Sequence, residues 1–127
     1  MRLLILGVLS FLCFGQAPPA EPKYEMDNYV VGFLKRGPNW TPHATEETKK
    51  IQEGHMANIR RMGATGKLLV AGPFTDGGDL RGMFIFKCSM DEAKAMAAED
   101  PAVKAGRLVL EFHPWFAGKG LSVAPPK

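Results

Sequence analysis

The chain predicts an α+β fold of the ferredoxin-like type: a β-α-β-β-α-β protomer, a four-stranded antiparallel sheet with two helices on one face. Three observations carry this expectation. Two segments have helix punctuation at both ends, and each lies between strand-like apolar runs. A polar tip, Thr75-Asp76-Gly77-Gly78-Asp79, joins two of those runs as a hairpin. The resulting order of elements is the split βαβ arrangement.

The elements follow in order. The first strand is Tyr29 to Arg36, ended by the turn residues Gly37, Pro38 and Asn39 before Trp40. The first helix takes Thr45 as its N-cap, places Glu46 and Glu47 in its first turn and Arg60 and Arg61 near its far end, and stops at Gly66. Lys67 to Ala71 is the second strand, ended by Gly72-Pro73, and Leu80 to Lys87 is the third. Ser89 and Glu92 form a capping box for an alanine-rich helix that runs to Asp100, where Pro101 forces a change. The last strand, Arg107 to His113, is closed by Pro114.

The domain that contains these elements spans 27–116, after a linker over 18–26 and before a flexible tail over 117–127. Residues 1–17 read as a secretory signal peptide. Arg2 precedes an apolar or small run from Leu3 to Gly15, too short to span a bilayer comfortably, for which about 20 residues are needed. Gly15 and Ala17 are both candidate cleavage positions, and an uncleaved anchor is the alternative. Leu12 before Cys13 argues against a lipoprotein anchor. The expected protein is therefore periplasmic or secreted, with no membrane contact after signal cleavage.

The formal charge of +3 loses one unit with Arg2, and the remaining Lys and Arg are scattered, which argues against nucleic acid as a partner. Only Cys88 remains after signal removal, so no internal disulfide or cysteine-based metal site can form. His43, His55 and His113 show no metal-ligand spacing. No phosphate-cradling glycine loop or nucleophile elbow is present.

Both faces of the predicted sheet are apolar. Tyr29, Val31 and Phe33 oppose Val30, Gly32 and Leu34, and Met83 and Ile85 oppose Phe84 and Phe86. Two helices cover one face only. The simplest cover for the other is a second copy of the sheet, which predicts a homodimer.

His55 is the most informative single residue. Ile51, His55, Asn58 and Met62 share one helical face, so two polar residues stand where the helix packs on the sheet. A buried imidazole needs partners for its ring nitrogens and is the side chain that titrates nearest neutral pH. Either the fold satisfies it structurally or holds it at a pocket wall. Asn58 is either a polar wall or the partner that satisfies the histidine. Asp100, before Pro101, is an ordinary turn residue alone; paired with His55 it orients the imidazole as a general acid or base. Glu99 reads as a solvated competitor, and Asp76 and Asp79 as solvated turn acids. Gly72 and Pro73 form a corner where backbone can approach a ligand, although on the residues alone a plain turn is the favoured reading. Trp40, His113 and Trp115 lie at strand ends and loops, where pocket walls often form.

Three stretches, GHMANIRRM, GKLLVAGPF and EDPAVKAGRLVLEFHPW, resemble in that order the YciI-like (YCII-related domain) family over roughly Tyr29 to Trp115. The resemblance implies a dimeric α+β barrel and an active-site pair at His55 and Asp100, with the glycine-proline corner at Gly72 and Pro73. It also implies elimination, isomerisation or degradation chemistry on ring-like organic substrates without a redox cofactor. Family members are typically cytoplasmic, and the export signal departs from that pattern.

The leading expectation is a small-molecule enzyme with a His55–Asp100 acid/base pair that acts on a small ring-like or carbonyl-containing compound. No cofactor and no metal is implied. The alternatives are a non-catalytic small-ligand-binding barrel and a purely structural histidine.

Overall fold

The computed structural model describes residues 19–20 and 23–121. The segment expected to act as a signal peptide, with the candidate cleavage positions and Cys13, lies outside the described residues. The elements are β1 (Met26–Arg36), α1 (Glu46–Ala64), β2 (Leu68–Pro73), β3 (Leu80–Phe86), α2 (Met90–Ala98), α3 (Pro101–Lys104) and β4 (Leu108–Gly118). The sheet order is β2-β3-β1-β4 and every neighbouring pair is antiparallel. This is the expected ferredoxin-like topology, with β3 inserted between β1 and β2.

Both long helices begin at full capping boxes. Thr45 accepts from the Thr48 amide and Ser89 from the Glu92 amide, while Thr48 and Glu92 reach back to the cap backbone. Each box satisfies two amides that the helix start leaves without partners.

Four boundaries differ from expectation. β1 begins at Met26, so the linker ends one residue earlier. β2 continues through Gly72-Pro73, with Pro73 opposite Gly82; β2 is an edge strand, where a missing N–H is tolerated. β4, the other edge, likewise passes through Pro114, which sits opposite Val30. It runs on to Gly118, so Ala117 and Gly118 are paired with β1 and do not belong to a tail. Finally, the second helix is two helices. α2 ends at Ala98 with Glu99 as its C-cap, and Asp100 starts α3 with Pro101 at its first position. A proline there loses nothing, because that amide has no helical partner.

The helix-side core comprises Val30, Leu34, Met62, Leu68, Phe84, Phe86 and Ala93, with Leu108, Leu110 and Phe112 packed against it. The opposite face carries a second apolar set. Val31, Phe33, Met83, Ile85, Pro114 and Trp115 surround a hollow of about 330 Å³. His113 lies at its rim, edge-on to Phe33 and hydrogen-bonded to Glu111, which also pairs with Lys35.

What positions the site is the seat of α3 on α1. A Cβ built on Gly54 would lie 2.8 Å from the Pro101 ring, so only glycine at this point of α1 admits so close an approach.

Candidate active site

The odd face of α1 is buried as its spacing predicts: Ile51 is half-buried, and His55, Asn58 and Met62 are 8%, 6% and 0% exposed. Because α3 packs beside Gly54, its N-cap Asp100 meets the next residue, His55. Nδ1 of His55 stands 2.6 Å from Oδ2 of Asp100, and the carboxylate is 1% exposed. Its other oxygen, Oδ1, accepts from the Ala102 amide at 2.8 Å.

Burial by itself pushes the Asp100 carboxyl up. The His55 hydrogen bond and charge, the Ala102 amide and the Asn58 amide together outweigh it, and hold the group below the usual carboxylate range. Asp100 is thus an anion and accepts the Nδ1 proton, which leaves Nε2 as the free nitrogen. Nε2 has no hydrogen-bond partner among the described residues, and the ring stacks on Phe84 at 6.4 Å. Carboxylate, imidazole, then an open nitrogen is the arrangement in which a histidine moves protons.

His55 forms one wall of a cavity of about 370 Å³ between α1 and the sheet. That volume suits a single-ring compound. Trp40, Gly72 and Pro73 line it, together with apolar Met56, Ile59 and Phe84. Four of the sequence-derived candidates therefore share this cavity, with Asp100 directly behind His55.

Three candidates lie elsewhere. Asn58 is not in the cavity wall. Its oxygen accepts from Arg61 at 2.6 Å and its amide faces the Met96 carbonyl at 3.5 Å, so it links α1 to α2. His113 and Trp115 are on the opposite face of the sheet, across from the cavity. The reason is strand parity: Leu110 and Phe112 point to the helices, so His113 and Trp115 point away.

Two cationic cavity residues, Arg81 and Arg107, carry no signal in the sequence. Each is an isolated charge in the sequence, and only the topology brings them together. Cys88 is half-buried, and burial, with the Glu92 carboxylate, pushes its thiol up. Among the described residues no group of three or more His, Cys, Asp or Glu is placed to hold a metal ion, and no helix is long and apolar enough to cross a membrane.

No curated protein matches this chain. Among solved structures it is similar to the 5-chloro-2-hydroxyhydroquinone dehydrochlorinase (TftG) of Burkholderia phenoliruptrix AC1100, in complex with 2,5-dihydroxybenzoquinone. The identity is 23% and the TM-score 0.51, over 68% of this chain and 92% of that one. At that identity the likeness is one of fold. The YCII-related domain matches residues 11–115. By that match, which spans both His55 and Asp100, the chain belongs to the YCII-related domain family.

Proposed function

We propose that this chain is a small-molecule lyase or isomerase in which His55 is the general acid/base and Asp100 orients it. The observation that carries the reading is the buried 2.6 Å contact between Nδ1 and the Asp100 carboxylate, with Nε2 unpartnered at the wall of a ring-sized cavity. Nε2 takes a proton from the substrate, next to a carbonyl or on an electron-poor ring. The electrons of the broken bond form the new double bond. In an elimination the leaving group departs with its own electron pair; in an isomerisation the imidazolium returns the proton to a different carbon. Neither route needs an oxidant. Phe84 and Ile59 exclude water from one side, and Trp40 offers a face for a ring.

A His–Asp pair of this kind contributes about 10² to 10⁴ in rate, which suits substrates whose protons are already acidic. The dehydrochlorinase named above carries out chemistry of this class on a chlorinated hydroxyhydroquinone, and that compound is the first substrate to try. Chloride release is followed with the wild type, His55→Gln and Asp100→Asn. Both variants are expected to lose about 10² to 10⁴ in kcat while their circular dichroism is unchanged. A His55→Gln protein with full turnover would remove the mechanism. Binding without turnover in the wild type, across a panel of such rings, would favour a ligand-binding barrel.

We propose also that two copies pack through the open sheet face, and that residues 1–17 direct export. The first is supported by the apolar hollow and the exposed Trp115 at its edge, and the second by the signal-like sequence.

A further inference from the structure

Three arginines meet at one end of the sheet. Arg36 closes β1, Arg81 stands near the start of β3, and Arg107 immediately precedes β4. Antiparallel pairing sets those three strand ends side by side. Around them stands Trp40, with the Arg36 guanidinium 4.0 Å and that of Arg81 5.9 Å from its ring centre.

Among the described residues all three guanidiniums hydrogen-bond to neutral oxygens only. Arg36 donates to the Gly77 carbonyl at 2.9 Å and Arg81 to the Gly78 carbonyl at 3.1 Å. Arg107 donates to Thr41, at 3.0 Å to the hydroxyl and 3.1 Å to the carbonyl. Among the described residues no ion pair joins any of them to a carboxylate. Asp76, in the adjacent hairpin, accepts from the Gly78 amide instead. Among the described residues the cavity wall contains no aspartate or glutamate; Glu53 lines only the outer groove beyond it. Among the described residues the buried Nε of Arg36, which stands beside the cavity behind Trp40, has no hydrogen-bond partner. Half-buried cations left without counter-charges are costly arrangements, and they are stabilised when an anion arrives.

We propose that this end of the cavity is an anion subsite, and that the compound presented to His55 carries a carboxylate or an ionised ring hydroxyl held by Arg81 and Arg107. The inference rests on the reading of His55 as acid/base. It adds that the substrate is charged and enters with its anionic oxygen toward Trp40 and its acidic proton toward Nε2. Arg81 then also opposes the negative charge that builds as the proton leaves, so it acts on specificity and on the barrier together.

The test uses benzoate and benzamide, which share a shape and differ in charge. Their dissociation constants are measured at neutral pH from the Trp40 indole NMR signal, with wild type, Arg81→Gln, Arg81→Lys and Asp100→Asn. Benzoate is expected to bind at least tenfold more tightly than benzamide, with the advantage shrinking at high salt. Arg81→Gln should weaken benzoate by about ten- to a hundredfold and leave benzamide unchanged. Arg81→Lys should keep most of the preference, which separates lost charge from a disturbed hairpin. Equal affinities, undetectable benzoate binding, or a preference that survives Arg81→Gln overturns the subsite. Asp100→Asn should retain the preference. A protein that prefers benzoate yet turns over no substrate loses only the catalytic reading; one that turns over neutral substrates as well as anionic ones loses only the subsite.

Discussion

Replacing Gly54 by alanine sets two physical effects against each other. In an ordinary helix the change stabilises, because glycine costs about 1 kcal/mol relative to alanine. Here the added carbon would lie 2.8 Å from Cγ and 3.2 Å from Cβ of Pro101. Carbon atoms rest about 3.5–4.0 Å apart, so α3 must retreat by about 0.7 Å or more. Asp100 heads α3. A retreat of about 0.7 Å directed along its 2.6 Å contact with His55 would lengthen that contact to about 3.3 Å, past the range of a sound hydrogen bond, and a retreat at an angle to it would lengthen it less. Overpacking costs about 1–3 kcal/mol against the helical gain of about 1, which leaves a net loss of up to about 2 kcal/mol. At roughly 4–8 °C per kcal/mol for a domain of this size, the melting temperature should fall by several degrees. Gly63 is the internal control. It lies in the same helix with nothing within 4 Å of a built Cβ, and Gly63→Ala should raise the melting temperature. The assay is a pair of thermal melts with the His55 Nδ1–H proton followed by NMR. A Gly54→Ala protein that is more stable than wild type, with that proton unshifted, would refute the account of how α3 is seated.

Other expectations concern acid, assembly and export. Asp100 lies below its ordinary value of 3.8 in the folded protein, so the stability it contributes is present above that value and is lost as pH falls through the folded one. Urea titrations from pH 5 down to 2 should therefore show a steep acid loss that Asp100→Asn flattens. Glu92, pushed down to about 2 by Lys67 and the Ser89 cap, titrates at the bottom of that window and should do so in both proteins. Trp115→Glu places a charge on the open sheet face, and sedimentation should show the wild-type mass halved; an unchanged mass would move the interface elsewhere. Amino-terminal sequencing of the exported chain should begin at Gln16 or Pro18, and a chain that retains Met1 would remove the signal reading.

The topology was legible because each element carried its own punctuation: Thr45, Ser89 and Gly66 mark helix ends whatever surrounds them. His55 stood out for a related reason, since a polar residue on a packing face conflicts with its own neighbourhood. Pro73 and Pro114 signal strand ends locally, but their tolerance within a strand depends on lying at a sheet edge, a property of strand order. Asp100-Pro101 looked like the end of one helix, although the same pair makes a good N-cap and first turn. His113 and Trp115 were separable in principle, as strand parity from Phe112 already sends them to the other face. The arginines were not separable. Arg36, Arg81 and Arg107 become neighbours only when three strand ends align, and nothing local to any of them announces it.

Asp100 answers to two partners at once. One oxygen holds the Ala102 amide and the other holds an imidazole 45 residues away in the chain. The start of α3 and the orientation of His55 are therefore one cooperative event. By linkage, a molecule that fastens on the imidazole also tightens the first turn of α3. Hydrogen exchange at the Ala102 amide, whose proton Asp100 holds, becomes a gauge of whether the imidazole is engaged.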